Sequence, residues 1–153
     1  MRMRMATPND LPEMQKLYVD TIQSVCNADY TPEQIGVWTS SVANTARWEK
    51  ILREQMVVLA EKNNKIIGYG TLLDDQYIDL FYVHKDHQRQ GIAYRILSQI
   101  ESQAQRAGTR KIWSEVSITA KPFFEKSGFK VLAQQHNLLR GVELINFRME
   151  KTM

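Results

Sequence analysis

A short apolar strand, a charged turn and a long amphipathic helix follow one another directly, and this succession restricts the fold more than any other feature. Residues 77–83 are apolar and rich in β-forming types, and residues 84–90 are polar or charged. Gly91 then opens a segment in which apolar side chains recur every fourth residue, as expected for a helix with one buried face: Ile92, Ile96, Ile100 and Ala104. Gly108 stands where helices commonly end.

The start of this helix is suited to an anionic ligand. The first N–H groups of a helix have no partner within it, and the helix dipole places about half a positive charge there. A glycine at the junction lets a phosphate approach the main chain closely. We therefore predict that residues 88–94 bind a phosphate group through main-chain amides. The alternative is that Gly91 is an ordinary helix cap and Arg89 a solvated charge.

The junction itself, Gln88-Arg89-Gln90-Gly91-Ile92-Ala93, resembles the acyl-CoA-binding signature of the GNAT acyltransferases, Gln/Arg-x-x-Gly-x-Gly/Ala. The resemblance implies that the strand before the turn binds the pantetheine arm and that the turn holds the pyrophosphate. The side chain of Ile92 is expected in the core. The cofactor-binding residues implied are Phe81, Tyr82, Val83, Gln88, Arg89, Gln90, Gly91, Ile92, Ala93 and Tyr94.

A second stretch, residues 117–129, is similar to the family pattern Asn-x-x-Ala-x-x-Phe-Tyr-Glu-Lys-x-Gly-Phe, which the family places beside the CoA thiol. Two positions depart from it. Ser117 replaces the common asparagine, and we expect it either to donate a hydrogen bond to the thiol or pantetheine or to cap the helix. Phe124 replaces a tyrosine that in the family commonly protonates the departing thiolate. Both are predicted to lie beside the cofactor.

Length and composition favour one compact domain. With 153 residues and 43% hydrophobic content, the chain can bury one core. The net charge of +3 suits a small anionic ligand and gives no basic stripe for nucleic acid. The single Cys26 forms no internal disulfide and fits a reducing compartment. Without a signal peptide, a membrane span or metal-ligand spacing, we expect a cytoplasmic protein, monomeric or homodimeric, that needs no metal.

The alternation of helical and strand periods predicts an α+β fold with a central mixed sheet of six to seven strands flanked by helices, in the GNAT order. The final two strands are expected around a loop at residues 137–141. The expected strands are 2–6, 56–60, 65–73, 76–83, 111–116, 130–135 and 142–149. The expected helices begin near residues 11, 31, 44 and 91, with a further short helix within residues 117–129.

The resemblance implies an N-acetyltransferase, in which a primary amine of a small molecule or peptide attacks acetyl-CoA directly through a tetrahedral intermediate. A free alkyl amine has a pKa of about 10, so a base must take its proton. Asp79 lies within an apolar strand, and alternation places it on the face of Tyr77 and Phe81, where it needs a partner or a wet cleft. Glu115 ends the next strand, where relatives often carry a catalytic glutamate. His84, in the charged turn, is a third candidate.

The acceptor is expected to bind near the helices between the first two strands. Tyr30 and Trp38 in this region are predicted to line an apolar or cation-π pocket, or else to pack in the core. Asp29 and Glu33 nearby favour a cationic amine. A different function is also consistent with the sequence, because Phe124 removes the usual proton donor: the chain could bind acyl-CoA without catalysis, as a sensor or interaction protein.

Overall fold

The computed structural model describes residues 1–153 and has a seven-stranded mixed sheet at its centre. The strands lie in the order β1-β2-β3-β4-β5-β7-β6, and only the β4–β5 pair is parallel. The predicted α+β class is confirmed. The strands are β1 (Arg2–Met5), β2 (Met56–Lys62), β3 (Lys65–Leu73), β4 (Tyr77–Val83), β5 (Lys111–Ser117), β6 (Lys130–Leu139) and β7 (Val142–Thr152).

Five α-helices cover the two faces of the sheet, and their positions agree with the sequence periods. They are α1 (Leu11–Val25), α2 (Pro32–Thr39), α3 (Thr45–Glu54), α4 (Ile92–Arg106) and α5 (Lys121–Lys126). Thr31 caps α2 by accepting a hydrogen bond from the Gln34 amide. Gly108 follows the end of α4 with φ +81, as expected for a helix stop. No helix combines the length and the apolar character needed to cross a membrane.

Each face of the sheet has its own hydrophobic cluster. One contains the apolar side of α4, with Ile96 and Ile100 fully buried, and the other contains the residues of α1 that face β3 and β4. Helix α4 lies directly on β3: a Cβ at Gly70 would lie 2.8 Å from side-chain atoms of both Ile96 and Ile100. This close approach fixes α4 on the sheet, and its first turn follows closely on the end of β4.

The sheet opens between its two parallel strands. Pairing between β4 and β5 is limited to Tyr77 with Trp113 and Ile78 with Ser114. Beyond Ile78 the two strands separate, so the backbone of residues 79–83 has no strand partner on this side. The opening places a gap in the middle of the sheet, at the carboxyl ends of β4 and β5.

An irregularity in β4 changes which way its side chains point. Gly70 pairs with Phe81 but Leu72 pairs with Ile78, so β4 contains one residue more than β3 in this interval. Phe81 consequently packs against the α4-side cluster, whereas Leu80 belongs to the α1-side cluster. The prediction that Asp79 and Phe81 share a face is therefore wrong, because strict alternation does not hold across a bulge.

The last two strands form a longer hairpin than the sequence indicated. Residues 137–139, predicted as loop, pair with β7, and the turn is reduced to Arg140 and Gly141. Both turn residues have positive φ, 49° and 78°, which is the backbone of a two-residue hairpin turn. Strand β7 also continues to Thr152. The prediction was wrong because an arginine is not a usual residue at such a position.

Candidate active site

The turn before α4 is open to solvent. Gly91 has φ +78, and a Cβ built on it would meet no atom within 4 Å. The first intrahelical hydrogen bond runs from the Arg95 amide to the Gly91 carbonyl, and no side chain caps the amides ahead of it. Residues 92–94 thus begin the helix with N–H groups that have no intrahelical partner, at the positive end of a 15-residue helix.

The side chains predicted to bind the cofactor fall into different environments. Gln88 turns back to the strand, and its Nε2 donates to the Val83 carbonyl at 2.6 Å. Arg89, Gln90 and Tyr94 are exposed. Ile92 is 3% exposed and lies in the core, so only its main chain faces the turn.

A groove runs along β4 on the side of the open turn. We call this space, of about 140 Å³, the donor groove. Its walls come from α1, β4, the first turn of α4 and the segment after β5, and they include Thr21, Phe81, Val83, Ala93 and Ser117. The groove is narrow and mainly apolar, and it leads towards the opening of the sheet.

A larger cavity of about 320 Å³ lies beyond the opening, and we call it the acceptor cavity. The five aromatic side chains that line it are Tyr18, Tyr30, Trp38, Tyr77 and Tyr82. Its ionisable walls are Arg47, Asp79 and Glu115. The β6–β7 hairpin supplies the remaining apolar side, with Leu138, Leu139, Leu144 and Ile145 among its contacts.

A third, small cavity of about 60 Å³, which we call the junction cavity, lies in the gap between β4 and β5. Tyr82 and Ser117 line all three spaces, so the donor groove and the acceptor cavity meet at these two side chains. Phe124 forms one wall of the junction cavity, but it is only 2% exposed and packs edge-on against Phe81 and Phe129. The structure therefore makes Phe124 chiefly a core residue.

Asp79 is held on both of its oxygens. Arg47 Nη2 lies 3.0 Å from Oδ1, and Gln55 Nε2 donates to Oδ2 at 2.8 Å. The side chain of Asp79 is 9% exposed. Of the two environments expected for this carboxylate, the structure shows both: it has partners, and it lines the acceptor cavity.

Glu115 also lines the acceptor cavity, but its carboxylate makes no hydrogen bond or ion pair within the chain. Arg148 lies opposite it in the β5–β7 ladder. The Arg148 guanidinium instead stacks on the Trp113 ring, 3.9 Å from the ring centroid. Glu115 is therefore the carboxylate in this cavity whose oxygens are free to accept hydrogen bonds from a ligand.

The tyrosines of the cavity remain neutral. Burial raises the pKa of Tyr77, and the negative charges of Asp79 and Glu115 raise it further. Burial likewise raises the pKa of Tyr82 well above its ordinary value. Neither hydroxyl ionises near neutral pH, so neither can serve as a phenolate base, and both keep a proton that they can donate.

Tyr30 and Trp38, predicted to line the substrate pocket, both lie on the wall of the acceptor cavity with ring centroids 5.1 Å apart. The Tyr30 hydroxyl has a structural task as well. It donates to the Ile145 carbonyl at 2.6 Å and accepts from the Ile118 amide at 2.9 Å. It thereby ties the hairpin to the segment that follows β5.

Ser117 Oγ accepts a hydrogen bond from the Ala120 amide at 3.1 Å, which is the capping role considered for it. Its own hydroxyl hydrogen remains free to be donated.

The other candidates from the sequence lie outside the acceptor cavity. The His84 ring faces a different surface depression, and its Nδ1 accepts a hydrogen bond from the Asp86 amide. Asp29 accepts a hydrogen bond from Thr119 and does not line the acceptor cavity. No cluster of three or more His, Cys, Asp or Glu side chains could hold a metal ion.

Several residues of the acceptor cavity were not found from the sequence: Tyr18, Arg47, Leu80 and the six contributed by the hairpin. Arg47 carries no motif, and only the fold brings α3 to Asp79. The hairpin did leave a signal, since Leu138 and Leu139 are two adjacent large apolar residues that follow the polar stretch 134–137. The six hairpin residues are Asn137, Leu138, Leu139, Leu144, Ile145 and Asn146.

Comparison with known proteins agrees with this arrangement. A family model described as an acetyltransferase (GNAT) domain matches residues 26–151. The chain belongs to the GNAT acetyltransferase family. A related GNAT protein is YafP of Escherichia coli strain K12, an uncharacterized N-acetyltransferase; it is 29% identical over 143 residues, which are 93% of this chain and 89% of that protein.

Solved GNAT structures share the whole architecture. A GCN5-related N-acetyltransferase from Rhodopseudomonas palustris superposes with a TM-score of 0.95 at 24% identity, covering 99% of this chain and 95% of that one. The PaiA N-acetyltransferase from Thermoplasma acidophilum, solved in complex with coenzyme A, gives a TM-score of 0.76 at 18% identity over the full length of both chains. At these identities the two structures establish the fold.

Proposed function

We propose that this GNAT protein transfers an acetyl group from acetyl-CoA to a primary amine of a small molecule or peptide. One observation supports the proposal above the others. A narrow groove beside an open helix start and a larger cavity with a free carboxylate meet in the gap between β4 and β5, at Tyr82 and Ser117. Two substrates entering from opposite sides would have their reacting groups together there.

The residues around the open turn fit coenzyme A. The unpartnered amides at the start of α4 suit a pyrophosphate, and the space beside Gly91 leaves room for one. The donor groove, with Phe81 and Val83 along one wall, suits the extended pantetheine arm. The solved PaiA relative binds coenzyme A with the same fold. Acetyl-CoA would supply an acetyl thioester, whose carbonyl an amine can attack.

The chain's contribution to the chemistry is a base and a confined site. An alkyl ammonium with a pKa of about 10 must lose its proton before it attacks. Glu115 is the proposed base, because its oxygens have no other partner. Asp79 is proposed to fix the position of Arg47 in the cavity wall rather than to meet the amine, since Arg47 and Gln55 already occupy its oxygens.

A residue other than Phe124 must donate a proton to the departing thiolate. A thiol has a pKa of about 8.5 by analogy with cysteine, so the demand for an acid is modest. Ser117 and Tyr82 are the hydroxyl-bearing side chains common to both substrate spaces. Tyr82 retains its proton near neutral pH because burial raises its pKa. These two are the proposed donors.

The proposal is tested by measuring free thiol released from acetyl-CoA in the presence of a panel of small-molecule and peptide amines, together with mass spectrometry of the products. Amine-dependent thiol release with a matching acetylated product is expected. Absence of release with every amine would contradict it.

A catalytically silent acyl-CoA-binding protein is the second candidate, favoured by the buried phenylalanine at position 124. The same experiment separates the two functions. Calorimetric binding of acetyl-CoA without turnover for any amine would support the silent protein, whereas turnover with one amine excludes it.

A further inference from the structure

We infer that the acceptor is a monoamine carried on a compact hydrophobic body, and that Leu138 at the tip of the β6–β7 hairpin determines this specificity. The inference rests on the proposed acetyl transfer for the role of the cavity. It can be tested separately, because amine binding is measurable without turnover.

The hairpin presents apolar side chains that nothing in the chain covers. Leu138 is 76% exposed and Leu139 is 40% exposed, although both line the acceptor cavity. Leu144 and Ile145 extend the same apolar wall from β7. Large apolar side chains left facing water beside a cavity mark a binding surface. A ligand with an apolar body would cover them and gain the hydrophobic free energy of that contact.

Aromatic rings form the opposite side of the cavity. Trp38, Tyr30 and Tyr77 offer ring faces or edges to its interior, and Tyr77 itself packs against Trp113 at 4.2 Å between ring centroids. Such rings bind flat apolar groups and also favour a nearby ammonium through cation-π attraction. The hairpin and these rings together enclose the body of the ligand.

The charges of the cavity fit a single ammonium group. Arg47 neutralises Asp79 at 3.0 Å, which leaves Glu115 as the one unpaired carboxylate of the lining. The nearby Arg148 stacks on Trp113 and does not line the cavity. A polyamine would place its further ammonium groups against the hairpin leucines, without carboxylates to compensate their desolvation. The cavity therefore favours a ligand with a single positive charge.

The size of the cavity agrees with a compact ligand. Its volume of about 320 Å³ lies at the small end of the range of roughly 300–1,000 Å³ that is usual for small-molecule sites. An amine with one or two rings fits this space, whereas a long flexible amine or an aminosugar chain exceeds it or leaves the apolar walls uncovered.

The test compares amine binding to the full chain by calorimetry, with and without saturating coenzyme A. The aromatic monoamines 2-phenylethylamine and tryptamine are compared with ethanolamine and spermidine. The aromatic monoamines are expected to bind at least about 10-fold more tightly, the discrimination that apolar contacts of a few groups provide. Equal or tighter binding of ethanolamine or spermidine, or no binding of any amine in either condition, would overturn the inference.

Two leucines of the same strand provide a matched pair of variants. Leu138→Ser should weaken binding of 2-phenylethylamine by about 10-fold. Leu132→Ser removes a leucine that is 52% exposed and lies outside the cavity, so it should change binding less than about 2-fold. If the two substitutions weakened amine binding equally, Leu138 would not determine the specificity. Circular dichroism of both variants checks that the fold is kept.

The charge requirement is tested with Glu115→Gln and a neutral ligand of the same shape. The variant should weaken 2-phenylethylamine several-fold and leave the binding of 2-phenylethanol unchanged. If the variant bound both ligands more weakly, recognition of the ammonium by Glu115 would be contradicted. Thiol release separates this inference from the proposed function. If aromatic amines bind tightly but release no thiol, acetyl transfer is contradicted and the inference stands. If only polar amines release thiol, the inference is contradicted and acetyl transfer stands.

Discussion

Arg47 Nη2 lies 3.0 Å from Asp79 Oδ1, and this contact distinguishes the two carboxylates of the acceptor cavity. Asp79 is also hydrogen-bonded by Gln55, whereas Glu115 makes no such bond. Both Asp79 oxygens are already used within the chain, so a bound amine finds its hydrogen-bond acceptor at Glu115 instead. The geometry thereby favours Glu115 over Asp79 as the base.

The first prediction concerns these two carboxylates. Glu115→Gln is expected to lower kcat/KM by about 100-fold or more, because general-base catalysis contributes roughly that much. Asp79→Asn should lower it by less than about 10-fold, and should reduce stability by about 1 kcal/mol, since its partner Arg47 is half-exposed. Steady-state kinetics and urea unfolding measure the two effects. A larger kinetic loss for Asp79→Asn would reverse the assignment.

The second prediction compares the two ends of α4. Gly91 and Gly108 have φ of +78 and +81, and neither has an atom within 4 Å of a built Cβ. A glutamate at either position should cost roughly 1–2 kcal/mol of backbone strain. Only Gly91→Glu places a negative charge in the proposed pyrophosphate site. Calorimetry should show loss of coenzyme A binding for Gly91→Glu and normal binding for Gly108→Glu. Loss of binding in both would point to a general effect on the helix.

The third prediction concerns the missing hydroxyl at position 124. Phe124→Tyr places a hydroxyl at a wall of the junction cavity, where it can protonate the thiolate, and thiol release should rise if that step limits turnover. Phe129→Tyr is the control, because Phe129 is equally buried in the same cluster but lines none of the three spaces. The unpartnered hydroxyl of this variant should lower the free energy of unfolding by about 1–3 kcal/mol and should not increase the rate of thiol release. An unchanged rate in Phe124→Tyr would indicate that Ser117, Tyr82 or water already supplies the proton.

The fourth prediction tests the bridge made by Tyr30. Tyr30→Phe removes the partner of the Ile145 carbonyl and of the Ile118 amide, and should lower the free energy of unfolding by about 1–3 kcal/mol. Tyr77→Phe, at a tyrosine that makes no hydrogen bond within the chain, should change it by less than about 0.5 kcal/mol. Urea denaturation at neutral pH measures both. Similar values for the two variants would show that the Tyr30 hydroxyl does not hold the hairpin.

The fifth prediction is a dependence of stability on acid. Two hydrogen bonds of 2.8 and 2.9 Å from the Arg4 guanidinium hold the pKa of Asp10 below its ordinary value of 3.8, and the Thr7 amide adds to the effect. The folded state then binds the proton of this carboxyl less readily than the unfolded chain does. The stabilisation is complete above about pH 5 and is lost as the pH falls through the lowered pKa. Urea midpoints measured from pH 5 to pH 2 should fall less steeply for Asp10→Asn than for the natural chain. Equal slopes would exclude a contribution from this pair.

Much of the fold was predictable because its signals are local. The spacing of Ile92, Ile96 and Ile100 places the core face of α4, and Gly91 and Gly108 mark its ends. Tertiary contacts follow from the same residues, since α4 packs on the glycines of β3. The open turn was likewise predictable, because it depends only on a strand, a glycine and a helix in succession.

The parts that failed depend on how one element pairs with or packs against another. The orientation of Phe81 depends on a bulge against β3, and the partner of Asp79 comes from α3. The two-residue turn at Arg140 is determined by strand pairing that overcomes the local preference against positive φ. No periodicity within a segment contains this information.

The outer strand β6 shows nine of its ten residues to solvent, yet its tip forms one side of the acceptor cavity. Under the proposed function, substitutions there would alter which amine is accepted while leaving both hydrophobic clusters intact. The donor side, by contrast, is built on a helix locked to the sheet through Gly70. Among proteins with this hairpin, the acceptor should therefore change faster in evolution than the acyl donor. The exposed hairpin tolerates substitution, whereas the helix on the donor side is packed against the sheet.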